Sequence, residues 1–387
     1  MKVKQTPADF RVEELTDVVT SAGEFAFYRL HKVGWTTPDA LEVIRRRWDI
    51  ELRRVNYGGL KDRHADTIQY LSIYRGPRRN LDLERLTLTY IGQILDPYGS
   101  REIRANRFGL TLRSLSPQDE AIAVRALGEV EATGLANYFD DQRFGSVGAD
   151  GQFVGREMVF GRFEAALKLA LAAPYEFDRS EQKHEKETLR KHWGDWPTCK
   201  AQLPRGHARS LVDYLVSHPT DFKGTIARLR ADLGGIYLSA YQSHLWNRLL
   251  ARWLTATFPA DALGTLNLQL GPHPTPTRIP NEVDELWSTT ALPLPTARLK
   301  PTEKDAWLPH LEAVLAEEGL TLKQMKLPGL DRPFFSKGDR AVCIRPMGLM
   351  WTPADDDMNR GRRKLILKFE LPRGCYATML VKRITAF

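Results

Sequence analysis

Apolar and polar residues nearly alternate from Phe10 to Leu15 and again from Glu24 to Val33. A period of two belongs to a strand whose side chains divide between two faces. In the second run Ala26, Tyr28 and Leu30 share one face, and Phe25 and Phe27 take the other. The period then lengthens: Leu41, Ile44 and Trp48, spaced by three and four, predict a helix capped by Thr37 and opened by Pro38. Ile68 to Tyr74, Thr87 to Ile94 and Arg107 to Ser114 are rich in β-branched and aromatic residues and read as further strands. Ser116 and Pro117 open a second helix, Asp119 stands where a carboxylate favours the helix dipole, and Gly134 closes it.

From about residue 150 the texture becomes helical. Arg162 to Ala173, Arg179 to His192, about Ala208 to His218, and Leu238 to Phe258 are the candidate helices, and in the last Tyr241, Leu245, Leu249 and Trp253 recur every four residues as a core-facing stripe. Pro272, Pro274, Pro276, Pro280, Pro293, Pro295 and Pro301 predict an extended, irregular stretch, followed by a helix from about Thr302 to Glu318. Ala341 to Arg345, Lys364 to Leu371 and Tyr376 to Lys382 return to strand-like runs. Strands at both ends around a helical middle predict an α+β protein. A sheet domain built from 1–150 and 337–387 would be interrupted by a second domain at 151–336.

The 387 residues are 42% hydrophobic and 27% charged, the mix of an ordinary globular protein rather than a disordered or fibrous one. Lys and Arg outnumber Asp and Glu by 56 to 48, and the resulting +8 favours a polyanionic partner such as a nucleic acid. Cys199, Cys343 and Cys375 form no Cys-x-x-Cys pair, so neither a disulfide framework nor a zinc site is indicated, which fits a reducing cytoplasm. The amino terminus lacks a signal-type apolar segment, and no apolar run approaches the ~18 residues of a membrane span. Composition therefore points to a cytoplasmic protein away from membranes.

The densest chemistry lies between Asn56 and Tyr70, where Gly58 and Gly59 would allow a tight turn before Lys61-Asp62-Arg63-His64. Positive neighbours would hold Asp62 ionised, the form required of a nucleophile or general base. Taken bare, the same residues make a common charged surface turn, and such turns outnumber active sites. Asp62, His64 and Asp66 converge on a metal only if the segment is extended, and no further ligand set accompanies them. His184, Glu185 and His192 miss the zinc-protease spacing because position 188 is Thr. The Asp355-Asp356-Asp357 run has Arg360, Arg362, Arg363 and Lys364 nearby to compensate it, and no phosphate-binding or dinucleotide fingerprint occurs. Ala136 to Gly145 gathers aromatics, amides and an arginine outside any regular period. Such side chains suit base stacking and base-edge recognition, and they equally suit a loop pinned by buried rings.

Together these two stretches resemble a known family. Gly58-Gly59-Leu60-Lys61-Asp62-Arg63-His64-Ala65-Asp66-Thr67-Ile68-Gln69 is similar to the Ala-Gly-x-Lys-Asp-(Arg/Lys)-x-Ala-x-Thr-x-Gln motif of the TruD family of pseudouridine synthases, and Asn137-Tyr138-Phe139-x-x-Gln142-Arg143-Phe144-Gly145 resembles its second signature. Shorter matches follow in order at Asp9-Phe10-x-Val12-x-Glu14, Ala240-Tyr241-Gln242-Ser243-x-Leu245-x-Asn247 and Leu371-Pro372-x-Gly374-x-Tyr376-Ala377-Thr378, so the likeness covers nearly the whole chain. It implies a pseudouridine-synthase catalytic domain with a central, largely antiparallel sheet, split by an inserted mixed α/β TRUD domain. It also implies isomerisation of uridine in tRNA, typically uridine 13 of the D-arm, by a monomer that needs neither metal nor organic cofactor.

By this match Asp62 is the catalytic aspartate, acting on the sugar either by attack or by removing a proton. Phe139 matches the aromatic that stacks on the target uracil, Asn137 a residue that helps hold the catalytic carboxylate, and Lys61 would orient that carboxylate or meet a phosphate. Arg63, Gln142 and Arg143, in the same two stretches, are carried as supporting residues. The chain departs from the pattern at Asp140 and at Thr296, where the family usually has Gly, and Asp140 puts the shape of its loop in question. The rival readings are the same chemistry on another RNA and an RNA-binding module without catalysis.

Overall fold

The computed structural model describes residues 1–148, 150–175 and 178–386. They form two compact units, Met1–Leu135 with Ile344–Phe387, and Ala136–Cys343. Residues 136–148 and 150, and 337–343, which the sequence pattern groups with the sheet domain, lie in the second unit.

The first unit is built on nine strands: β1 (Phe10–Thr16), β2 (Phe25–Val33), β3 (Val55–Tyr57), β4 (Asp66–Tyr74), β5 (Leu81–Leu83), β6 (Leu86–Ile94), β7 (Ile103–Leu115), β8 (Met347–Asp355) and β9 (Arg363–Pro372). Their order is β8-β9-β7-β1-β4-β2-β6-β5, with β3 also paired to β4. Only β1 and β4 run parallel, from Arg11 opposite Asp66 to Glu13 opposite Ile68, so the sheet is largely antiparallel.

Both faces of β2 are covered. Ala26, Tyr28 and Leu30 pack with Ala40, Leu41 and Ile44 of α1 (Thr37–Trp48), while Phe27 packs with Ile94, Tyr98 and Ile103. The cap of α1 is Thr36 rather than Thr37: its side chain accepts from the Asp39 N–H at 3.1 Å. That leaves the Thr37 hydroxyl for another use, described below. Helix α2 (Pro117–Thr133) starts with a reciprocal cap between Ser116 and Asp119 and stops at Gly134, whose φ of 76° suits glycine.

At the carboxy terminus one expectation fails and one strand goes unpredicted, each for a physical reason. Tyr376 to Lys382 is not a strand: Ala377–Ile384 is a helix that buries Ala377, Leu380, Val381 and Ile384, a spacing of three, four and seven. Strand β8 gives no alternation to detect, because of its residues only Leu349 is buried, and it tolerates Pro353 as an edge strand does.

The second unit is mainly helical and centred on α3 (Ala231–Thr257), which buries Tyr241, Leu245, Leu249 and Trp253 together with the neighbouring stripe Leu238, Gln242, Trp246 and Leu250. Leu263–Leu268 and Gly271–Pro276 make a hairpin. The proline-rich stretch is less irregular than expected, since between Pro280 and Pro293 the helix Asn281–Thr289 forms, with Glu282 and Asp284 in its first turn. The helix expected from Thr302 begins at Leu308, because Asp305 first closes a turn by accepting from the Thr302 N–H at 2.6 Å. Among the described residues no helix is long and apolar enough to cross a membrane.

Candidate active site

Asp62 sits in the irregular loop between β3 and β4, and its side chain is 48% exposed. The loop is anchored from beneath by three polar groups. Lys32, on β2 and completely buried, donates to the carbonyls of Trp35 at 2.7 Å, Asp62 at 3.2 Å and Lys61 at 3.4 Å. Burial pushes its ammonium down to about 8; the charge of Asp62 opposes the shift and that of Lys61 adds to it. Thr37 accepts from the Lys61 N–H at 2.9 Å and donates to Gln69 Oε1 at 2.8 Å, and Gln69 returns a bond to the Gly59 carbonyl at 3.2 Å. The third anchor is Lys61 itself, whose Nζ lies 2.9 Å from Oε1 of the fully buried Glu14 and donates to Asn106 Oδ1 at 3.0 Å. Glu14 Oε2 in turn accepts from the Tyr70 N–H and the Tyr98 hydroxyl.

The cation on Asp62 is therefore neither of its chain neighbours. Lys61 is directed into the sheet, Arg63 is exposed, and Lys4 from the amino-terminal segment donates to Asp62 Oδ2 at 2.5 Å while resting 3.9 Å over the Phe10 ring. The glycines act differently from expectation too. Neither Gly58 nor Gly59 has a positive φ; Gly58 is needed for space, since a Cβ there would come within 2.4 Å of Ile103 Cδ1. Asp66 faces His31 at 2.7 Å and Arg11 at 3.6 Å, and among the described residues no cluster of His, Cys, Asp or Glu is placed to hold a metal. The Asp355–Asp357 run is compensated by Arg363 and Lys364, as expected, and also by Arg113 of β7, which reaches Asp356 at 3.0 Å and Asp357 at 2.8 Å.

Four of the predicted residues lie in the second unit. Phe139 is 7% exposed and held at its backbone by Asn247 of α3, which accepts from the Phe139 N–H at 2.8 Å and donates to its carbonyl at 2.9 Å. The Arg340 guanidinium stands 4.1 Å from the centre of the ring, Arg143 5.6 Å, and Trp246 meets it edge to face at 5.5 Å. Asn137 donates to the Ala341 carbonyl at 2.9 Å and accepts from Arg340 at 2.6 Å. Arg143 donates to Ser243 at 3.3 Å, and Gln142 is exposed. Asp140 has φ −78° and ψ 162°, ordinary extended backbone that does not require the glycine it replaces.

Glu14, Lys32, Lys4, Asn247 and Arg340 were not among the sequence candidates. For Glu14 and Lys32 a signal exists: each continues the inward face of its strand, after Phe10 and Val12 in β1 and after Ala26, Tyr28 and Leu30 in β2. A charge at an inward position needs a buried partner, and here the partner is the Asp62 loop. Lys4 and Arg340 carry no such mark, and Asn247 is marked only by its place in the shorter match that begins at Ala240.

The architecture matches a crystal structure of a TruD-family protein from Methanosarcina mazei with a TM-score of 0.72 over 100% of this chain and 93% of that one; at 24% identity the likeness speaks for the fold. The family model described as tRNA pseudouridine synthase D (TruD) matches residues 1–384, and the chain belongs to that family. A relative from Methanocaldococcus jannaschii, named "Probable tRNA pseudouridine synthase D 2", is 30% identical over 400 residues, covering 99% of this chain and 91% of the relative. One from Aquifex aeolicus, named tRNA pseudouridine synthase D, is 28% identical over 396 residues, covering 99% and 98%.

Proposed function

We propose that this protein converts uridine to pseudouridine in tRNA, at uridine 13 of the D-arm, with Asp62 as the catalytic carboxylate. The observation that carries the reading is the agreement of a whole-chain family match with a loop held at its backbone by Lys32 and Thr37 and at the Lys61 side chain by Glu14, while its aspartate faces solvent. A reacting carboxylate needs that combination of fixed position and access. The first unit is the catalytic domain and the second the inserted TRUD domain. The enzyme acts as a cytoplasmic monomer.

In this reaction the bond from the sugar C1′ to uracil N1 breaks, the base rotates, and C1′ bonds to C5; the proton lost at C5 balances the one gained at N1. No oxidant or second substrate is consumed. Asp62 drives the first step, either by attacking the sugar or by removing one of its protons. The uracil must leave its stack to be reached. Phe139 then stacks on it, as its place in the second signature implies, from a ring that is 7% exposed beside Arg340 and Trp246 in the free chain. Lys61 serves indirectly by locking the loop to Glu14.

Incubation of the purified chain with an unmodified tRNA transcript, followed by mapping of pseudouridine, tests the proposal. Product at position 13 is expected. Product confined to another RNA would move the substrate, and binding without product would favour the non-catalytic module.

A further inference from the structure

The second unit carries a pocket of about 480 Å³ whose wall includes Arg298, Lys323, Lys326, Asp331 and Phe334. Two consecutive phenylalanines divide there: Phe335 is 2% exposed and belongs to the core, whereas Phe334 is 60% exposed. The outward ring is not loose. The Arg298 guanidinium stands 4.9 Å from its centre and also donates to the Phe335 carbonyl, while the Arg298 N–H reaches Thr296 Oγ1 at 3.4 Å. A flat ring with a cation held against it forgoes burial and remains open to solvent.

The charge around it is predominantly positive. Between Gly319 and Gly338 the chain holds Lys323, Lys326, Arg332 and Lys337 against Asp331 alone. None of Arg298, Lys323 and Lys326 has an ion-pair partner among the described residues. Cations in excess of carboxylates, here three against Asp331, suit phosphates, and an exposed aromatic suits a base face, which is the pairing that binds single-stranded nucleic acid.

We infer that Phe334, with Arg298, Lys323 and Lys326, forms a nucleotide-binding site for an unpaired base of the RNA substrate, separate from the residues that contact the reacting uridine. The inference rests on the RNA reading above for its ligand class, and it does not depend on Asp62 being the reactive group. Stacking on Phe334 supplies tolerance of any base, and the two lysines take the flanking phosphates.

Fluorescence anisotropy of a labelled, unmodified tRNA transcript with the full chain tests it without requiring turnover. Phe334→Ala is expected to weaken binding roughly 5- to 100-fold, the effect of losing one stacked base, and Phe334→Trp to retain it. Lys323→Ala with Lys326→Ala is expected to weaken binding uniformly across sequences and to reduce the salt slope by about two. Unchanged affinity in Phe334→Ala, at an unchanged melting temperature, overturns the inference. So does an effect seen only for the lysines, which would reduce the pocket to a phosphate contact, or equal displacement of wild type and Phe334→Ala by an acidic phosphopeptide, which would point to a protein partner. A protein that binds the transcript through Phe334 yet forms no pseudouridine contradicts the proposed activity alone.

Discussion

Lys32 is where the loop's position is decided. Its ammonium is the donor for three carbonyls, among them that of Asp62, so replacing it by Met removes three part-buried bonds at ~1–3 kcal/mol. The pH dependence follows from its lowered pKa. Between about 8, its value in the fold, and the ordinary 10.5, the unfolded chain holds a proton that the folded chain lacks, so this residue's contribution to stability rises with pH across that window. Below 8 both states are protonated and the contribution is flat. Denaturant unfolding of wild type and Lys32→Met should therefore give a stability difference that shifts in favour of wild type from pH 8 to 10.5, by at most ~1.4 kcal/mol per pH unit. A difference independent of pH would mean that Lys32 keeps an ordinary pKa. The buried pair Lys61–Glu14 fixes the same loop from the other side. Together they explain how an exposed Asp62 can be well positioned.

At the scale of elements, α3 fixes the second signature loop as Lys32 fixes the first. Asn247 closes both backbone bonds of Phe139, Ser243 accepts from Arg143, and Gln242 donates to the Pro295 and Ser336 carbonyls. That accounts for the shorter motif on this helix by contacts rather than by chemistry. Asn247→Ala should destabilise the chain by ~1–3 kcal/mol through loss of its two buried bonds to the Phe139 backbone. Phe139→Ala should cost more, ~3–5 kcal/mol, because the ring is nearly buried between Arg340 and Trp246. Thermal or denaturant unfolding checks both, and Phe139 variants must be compared in activity at temperatures where each is folded. A Phe139→Ala protein as stable as wild type would contradict the packing described.

Elements with strong periods were legible in the sequence, β2 and the stripe of α3 above all, and α2 was legible from its caps at Ser116 and Gly134. Elements with weak patterns were not: β8 is mostly exposed, and the last helix spans only two turns, so a few apolar residues fit either period. Asp62 was legible as a charged loop residue, but its true counter-ion, Lys4, lies 58 residues away in sequence, and no local pattern marks a contact of that range.

For the whole molecule, the net charge of +8 and the two units agree with a protein that must attract a polyanion and present one carboxylate to it. Asp62 is proposed to be that carboxylate. Single-turnover formation of pseudouridine in a tRNA transcript, compared between wild type and Asp62→Asn with RNA binding measured alongside, tests it most directly. The predicted result is a fall in rate of about 10³-fold or more at nearly unchanged affinity and stability. Turnover of Asp62→Asn at the wild-type rate would contradict the assignment of Asp62 and the reading of the loop built around it.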